Sequence, residues 1–108
     1  MTVNELLKDG VLKAAVLPEG DREITGVYIG DLLSWVMGRA SSGDAWITIM
    51  SNVNILAVAA LADCACIILA EGVSLEAEIL KTAEEKSINV LYCDRSIYDA
   101  AVYLNELL

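Results

Sequence analysis

Residues 21–44 read Asp-Arg-Glu-Ile-Thr-Gly-Val-Tyr-Ile-Gly-Asp-Leu-Leu-Ser-Trp-Val-Met-Gly-Arg-Ala-Ser-Ser-Gly-Asp. The order is turn, strand, corner, helix, turn. Asp21-Arg22 is a polar turn. Ile24–Ile29 is rich in branched and aromatic residues and reads as a strand, with Thr25-Gly26 near its start. A glycine inside a strand marks a place where backbone or another group approaches closely. Gly30-Asp31 bends the chain, and Asp31 is placed to cap a helix. Leu32, Leu33, Trp35, Val36 and Met37 follow almost without polar relief, which predicts a helix buried on more than one side. Gly38 is expected to end that helix, and Ser41–Asp44 to lead into the next strand.

Working outward toward the C-terminus, the same alternation repeats. Ala45–Met50 is a strand. Ser51-Asn52 opens a helix over Val53–Ala62, whose run Ile55–Leu61 is apolar all round and belongs under other elements or in a subunit interface. Ala65–Ala70 is a strand with Cys-Ile-Ile-Leu at its centre; continuous apolar strands mark a sheet covered on both faces. Glu71-Gly72 turns the chain, and Ser74 is placed to cap a helix running to about Lys86. Its inner face carries Leu75, Ile79, Leu80 and Ala83. Ile88–Tyr92 is a fifth strand, and Asp94–Ser96 leads into a last helix with Ile97, Ala100, Ala101, Leu104 and Leu108 on its inner stripe.

Upstream, Thr2 and Glu5 form a capping box ahead of Leu6 and Leu7, and Asp9-Gly10 ends that short helix. Val11–Leu17 is β-permissive and stops at the turn Pro18-Glu19-Gly20. Four successive strand-helix pairs from Ile24 predict an α/β fold, a mostly parallel sheet of about five strands with helices on both faces. Residues 1–108 are read as one domain, since the length leaves no room for a second.

The composition sets further bounds. With 56% apolar and 21% charged residues the chain has ample material for a core and is not of disordered type. A mean hydropathy of +0.56 is high for so short a chain. Small domains have much surface per volume, so part of that apolar load is expected at a contact with another chain. A net charge of −9 argues against nucleic acid, which needs a basic face, and against anionic membrane surfaces. Val53–Ala70 is the only membrane suspect, and Asn54 and Asp63 within it argue for a buried helix followed by a buried strand. No basic segment precedes an apolar run, so no signal peptide is expected. Three cysteines, Cys64, Cys66 and Cys93, suit a reducing cytoplasm.

Absences decide much of the chemistry. There is no histidine, hence no Ser-His or Cys-His couple and no imidazole ligand. The chain has no G-x-x-x-x-G-K-[ST] phosphate loop and no G-x-G-x-x-G, so a kinase reading has no support. Cys64-Ala-Cys66 places two thiols on one side of a strand, because strand side chains repeat every two residues, with Cys93 at the end of a neighbouring strand. Three thiolates can hold a metal. The paired C-x-x-C knuckles of such sites are missing, and free cysteine is commonly a small core residue. No metal or cofactor is therefore expected.

The polar groups that remain gather after strand ends: Gly30-Asp31, Ser51-Asn52 with Asn54, Glu71-Gly72, and Asp94-Arg95-Ser96. In a parallel sheet these share one edge, where ligands of open α/β sheets bind and helix N-termini offer free N–H groups to an anion. Set against this is the simpler reading that Asp31, Ser51 and Ser96 are helix caps. Arg22 is either a salt-bridged surface group or the residue that reaches a ligand phosphate or a partner carboxylate.

The sequence resembles the DRTGG domain over nearly its whole length. The similarity is densest in Asp21-Arg22, Thr25-Gly26, Tyr28, Asp31-Leu32-Leu33, Val36-Met37-Gly38 and Gly43–Thr48. It continues through the apolar helix and strand after Asn54. Val27 departs from the pattern, where many members carry a second glycine. The resemblance implies a three-layer α/β/α sandwich like the N-terminal domain of HPr kinase/phosphorylase, whose catalytic half is a separate domain. Related modules sit between CBS pairs in certain inorganic pyrophosphatases and form dimers.

The expectation is thus a non-catalytic, cytoplasmic, homodimeric regulatory module binding a small anionic ligand such as a nucleotide. The candidate ligand residues are Asp21, Arg22, Thr25, Gly26, Gly30, Asp31, Ser51, Asn52 and Asn54. The alternative is a structural adaptor that docks on a partner enzyme without a ligand. The two differ in one geometric respect. Ligand binding requires Arg22, Asn52 and Asn54 to converge on a cleft, whereas docking lets them scatter.

Overall fold

The alternating pattern folds into one five-stranded sheet of order β1-β5-β4-β3-β2. The computed structural model describes residues 1–108. Its strands are β1 (Lys13–Val16), β2 (Gly26–Ile29), β3 (Asp44–Thr48), β4 (Cys66–Leu69) and β5 (Val90–Tyr92). Its helices are α1 (Val3–Leu6), α2 (Leu33–Arg39), α3 (Asn54–Ala62), α4 (Ala77–Glu85) and α5 (Ile97–Leu107). Strands β2 to β5 run parallel, and β1 closes the far side antiparallel to β5.

Each parallel strand lies beside its predecessor, so the crossovers through α2, α3 and α4 proceed in one direction and lie on one face. There Val36, Ile55, Leu56 and Ala83 pack on Trp46, Ile67, Leu69 and Val90. Helices α1 and α5 cover the other face, where Val3, Leu6, Ala100 and Leu104 meet Ile47, Cys66, Ile68 and Leu91. The result is the expected three-layer α/β sandwich. Every residue of β3 and β4 is buried, which explains the unbroken apolar run of β4 and the apolar centre of β3 between Asp44 and Thr48.

Several local expectations change. Helix α2 is not buried on more than one side: only Val36 is fully buried, and Leu32, Trp35 and Met37 lie exposed. The helix is an outer layer with nothing of this chain above it. Gly38 does not end α2, which runs on to Arg39. Asp31 does not cap α2, whose N-cap is Leu32. Ser74 is not the cap of α4, which begins after Glu76. Ser96 is a cap, its Oγ accepting from the Asp99 N–H, and Thr2 with Glu5 completes the capping box of α1.

The apolar run in α3 has an intramolecular explanation. Ile55, Leu56, Val58 and Ala59 are core, while alanines 57 and 60 face outward. Small residues on the outer face let an all-apolar helix lie at the surface, so this run does not itself mark a subunit contact. Its one large exposed side chain is Leu61.

Candidate functional site

The nine candidate ligand residues fall into two groups at opposite ends of the sheet. Asp21, Arg22, Thr25 and Gly26 lie at the amino ends of the parallel strands. Gly30, Asp31, Ser51, Asn52 and Asn54 lie at their carboxyl ends. A four-residue strand separates the two edges by about 13 Å. Arg22 therefore does not converge with Asn52 and Asn54.

The amino-edge group forms an interlocked turn cluster. Arg22 Nη2 donates to the Asp63 carbonyl at 2.8 Å and lies 3.0 Å from its carboxylate. Asp63 ends α3 in the left-handed region (φ 58°), and its carbonyl accepts from the Gly43 N–H at 2.9 Å as well as from Arg22, so the turns that enter β2 and β3 meet at this helix end. Ser42 donates its hydroxyl to the same carboxylate. The Ser42 hydroxyl and the Arg22 guanidinium together hold the Asp63 carboxyl below its ordinary range. Thr25 Oγ1 donates to the Ser42 carbonyl at 3.1 Å.

Gly26 admits the Asp44 side chain, since a Cβ there would lie 2.6 Å from Asp44 Oδ1. Asp44 in turn accepts from the Ser41 N–H at 2.8 Å. Gly43 (φ 86°) has no room for a Cβ against Thr25 Oγ1. Asp21 accepts from Asn4 and ties α1 to the turn. These residues lock the entry of β2 to the exit of α3. Val27, where the family pattern has a second glycine, points outward and is partly exposed.

At the carboxyl edge the polar groups are also engaged within the chain. The Gly30 carbonyl accepts from the Trp46 indole N–H at 2.9 Å. Asp31 Oδ1 accepts from Thr48 Oγ1 at 2.7 Å and from the Ile49 N–H at 3.0 Å. Its carboxylate thus satisfies the end of β3. Asn52 Oδ1 accepts from the Asn54 N–H at 2.9 Å, forming the turn into α3. Ser51, Asn52 and Asn54 are exposed, and none of the three surface cavities opens beside them.

The loops after β4 and β5 leave to opposite faces, the arrangement that creates a ligand crevice in open α/β sheets. Here the chain closes that crevice itself. The Glu71 N–H donates to the Arg95 carbonyl at 2.8 Å and the Gly72 N–H to the Cys93 carbonyl at 3.1 Å. Glu71 Oε2 accepts from the Ile97 N–H at 2.8 Å. The N-terminus of α5, a natural seat for an anion, thus holds the chain's own carboxylate.

The cysteines are not disposed as strand alternation suggests. Cys64 precedes β4, directly after left-handed Asp63, and packs toward the α3 side, while Cys66 faces the α5 side. Burial, then the Asp44 carboxylate, push the Cys64 thiol up to about 11. Burial pushes Cys66 up to about 12. Both stay protonated near neutrality, and all three are free thiols.

Sequence reasoning missed Asn89. It is buried, its Nδ2 donating to the carbonyls of Glu19 and Ala65 and its Oδ1 accepting from the Glu19 N–H. It staples the turn after β1 to the start of β4. Its only signal in the sequence was a lone amide among apolar strand residues. No helix is long and apolar enough to cross a membrane.

No curated protein matches the chain in sequence. Among solved structures it resembles the CBS and DRTGG domains of the regulatory region of Clostridium perfringens pyrophosphatase, determined in complex with the activator diadenosine tetraphosphate. The TM-score is 0.73 at 17% identity, over 94% of this chain and 45% of that one. The chain thus spans under half the length of that structure, and the likeness is one of fold. The DRTGG domain family matches residues 9–107, and with the turn cluster and sheet order described above the chain belongs to that family.

Proposed function

We propose that this domain is a non-catalytic regulatory module that works as a homodimer. The observation that carries the proposal is the amount of large apolar side chain left uncovered on a 108-residue domain. Leu32, Trp35, Ile29, Val53, Leu61 and Tyr98 are each at least 46% exposed. Single exposed hydrophobics are ordinary, and of these Ile29 and Tyr98 lie together at the β2 edge, where a patch rather than scattered exposure marks a contact surface. The structural neighbour belongs to an enzyme's regulatory region, which supports a regulatory rather than a catalytic role. So do thiols held protonated and the lack of any histidine. Three free thiols fit a reducing, cytoplasmic setting.

A small anionic ligand such as a nucleotide is a further part of this reading, supported by the activator bound in the neighbour. The exposed Ser51, Asn52 and Asn54 are the groups to receive it. Docking on a partner enzyme without a ligand is the second reading. The separation of Arg22 from Asn52 and Asn54 favours it, because no single cleft collects them.

Two measurements test these statements. Sedimentation at micromolar concentration should give a dimer, and a monodisperse monomer would remove the homodimer. A thermal-shift screen with nucleotides and phosphates tests the ligand. At about 100 times its dissociation constant a ligand stabilises by roughly 2.7 kcal/mol, several degrees for a chain of this size. A shift lost in Asn52→Ala supports the sensor reading, and a flat screen with an intact dimer supports the adaptor.

A further inference from the structure

We infer that the second copy docks on the β2 side of the sheet, with β2 of the two chains paired antiparallel about a two-fold axis. This rests on the homodimer reading above and names its surface. Three observations carry it.

The first is a groove of about 480 Å³ between β2 and α5. It is lined chiefly by Val27, Ile29, Tyr98, Ala101, Val102 and Leu108. Helix α5 lies over β3, one strand short of the edge, so the outermost strand keeps one face bare. Val27 and Ile29 point to that face together, because strand side chains repeat every two residues. Tyr98 is 75% exposed on the facing helix.

The second is the strand edge itself. β2 is the last strand of the sheet, so one side of its backbone meets no neighbouring strand. The usual guards of such an edge are lysine, proline or a bulge. Residues 26–29 are Gly-Val-Tyr-Ile and pair with β3 in unbroken register. A helix or a loop can only cover the N–H and C=O groups of an edge, whereas a second strand pairs with them. An identical strand does so about a two-fold axis, the commonest symmetry of homodimers. The axis stands perpendicular to the sheet and keeps Val27 and Ile29 on the same face as the partner's Val27 and the partner's Ile29. One apolar band then runs between the two α5 helices.

The third is charge. Two chains of net charge −9 repel one another, and they can meet only where carboxylates are absent. No charged side chain lines this groove; its polar members are Asn105 and the Tyr98 hydroxyl. A basic partner would be drawn to the acidic remainder of the surface rather than to this neutral strip. The groove therefore fits a second copy better than a charged protein.

The test compares the whole chain with Val27→Lys, Tyr98→Glu and the control Leu61→Glu, which alters an exposed side chain on α3 in the opposite layer. All three sites are exposed, so circular dichroism and Tm should remain those of the folded wild type. The expected result by sedimentation is a wild-type dimer whose dissociation constant rises roughly 30-fold or more in each groove variant, a hot-spot loss. Leu61→Glu should leave it unchanged. Amide exchange at Val27–Ile29 should also slow as wild-type concentration rises through the dissociation constant. A dimer indifferent to both groove variants overturns the assigned face while the homodimer stands. Amides at 27–29 whose exchange does not depend on concentration overturn the strand pairing. A monomeric wild type removes both this inference and the homodimer on which it rests.

Discussion

The two edges of the sheet are built on opposite plans. β1 carries Lys13 at its start and a register shift between Ala14 and Val16, and Pro18 follows its end. Helix α4 lies against it. These are the devices by which natural sheets stop another strand from adding. β2 has none of them, and it presents Val27 and Ile29 beside an uncharged groove. The fold can cap an edge and does so once. The open edge beside bare methyl groups is where the proposed second copy is placed.

Each edge is anchored by one buried side chain with a polar handle, and these anchors offer ways to separate the two ends. Trp46 is fully buried on β3 beside β2, and its indole N–H holds the Gly30 carbonyl where β2 ends. Trp46→Ala should cost about 3–5 kcal/mol by urea unfolding and dissolve any dimer with it. Trp46→Phe, which keeps the ring and drops the hydrogen bond, should cost far less and leave association intact. If Trp46→Ala is mild, β2 is not pinned by its neighbour β3 and the comparison of edges fails.

Asn89 is the counterpart on the β1 side. Asn89→Ala leaves both backbone groups of Glu19 and the Ala65 carbonyl without this partner. A loss of about 1–3 kcal/mol is expected, the cost of stranding buried polar groups, with the dimer constant unaltered. A change in dimerisation would mean that the two edges are coupled through the sheet.

Arg22→Ala removes the link between the entry of β2 and the end of α3, and a small fall in Tm at pH 7 is expected. The effect has a defined pH course. Asp63 has a folded pKa below its unfolded value of 3.8. Its contribution is therefore present above 3.8 and lost as pH falls through the lower folded value. The Tm difference between wild type and Arg22→Ala should shrink over that window. A difference that is constant down to pH 2 would show that Arg22 acts through the Asp63 carbonyl alone.

Lys13→Val strips one guard from β1. Its stability effect should stay within about 0.5 kcal/mol, while concentration-dependent association beyond the dimer should appear in sedimentation. Unchanged association would mean that the bulge and α4 suffice to close that edge.

The strand-helix alternation was legible because period-2 and period-3.6 patterns are local and the buried strands are continuous. Ser96 and Thr2 were legible as caps for the same reason, their partners lying three residues away. Asn89 was not, because its partners are 24 and 70 residues distant. For Arg22 the salt-bridged reading was among the two offered, but its partner was not legible, since Asp63 lies 41 residues along the chain. The strand-end residues were grouped correctly by topology. The Asp21–Gly26 group was set beside them only because it is conspicuous in the same stretch, and a four-residue strand keeps the two apart. Helix α2 misled because an apolar composition does not record which of its side chains the packing leaves exposed, and here only Val36 reaches the core.

Composition and periodicity were enough to determine an α/β domain with a mostly parallel sheet, an acidic surface and more apolar residues than its own core needs. Those properties follow from residue types and short spacings. Which strand became an open edge, which polar side chains were used to lock turns, and where the surplus apolar surface gathered were settled in three dimensions. They depend on the order in which strands lie side by side, and that order is fixed by contacts between residues far apart in the chain.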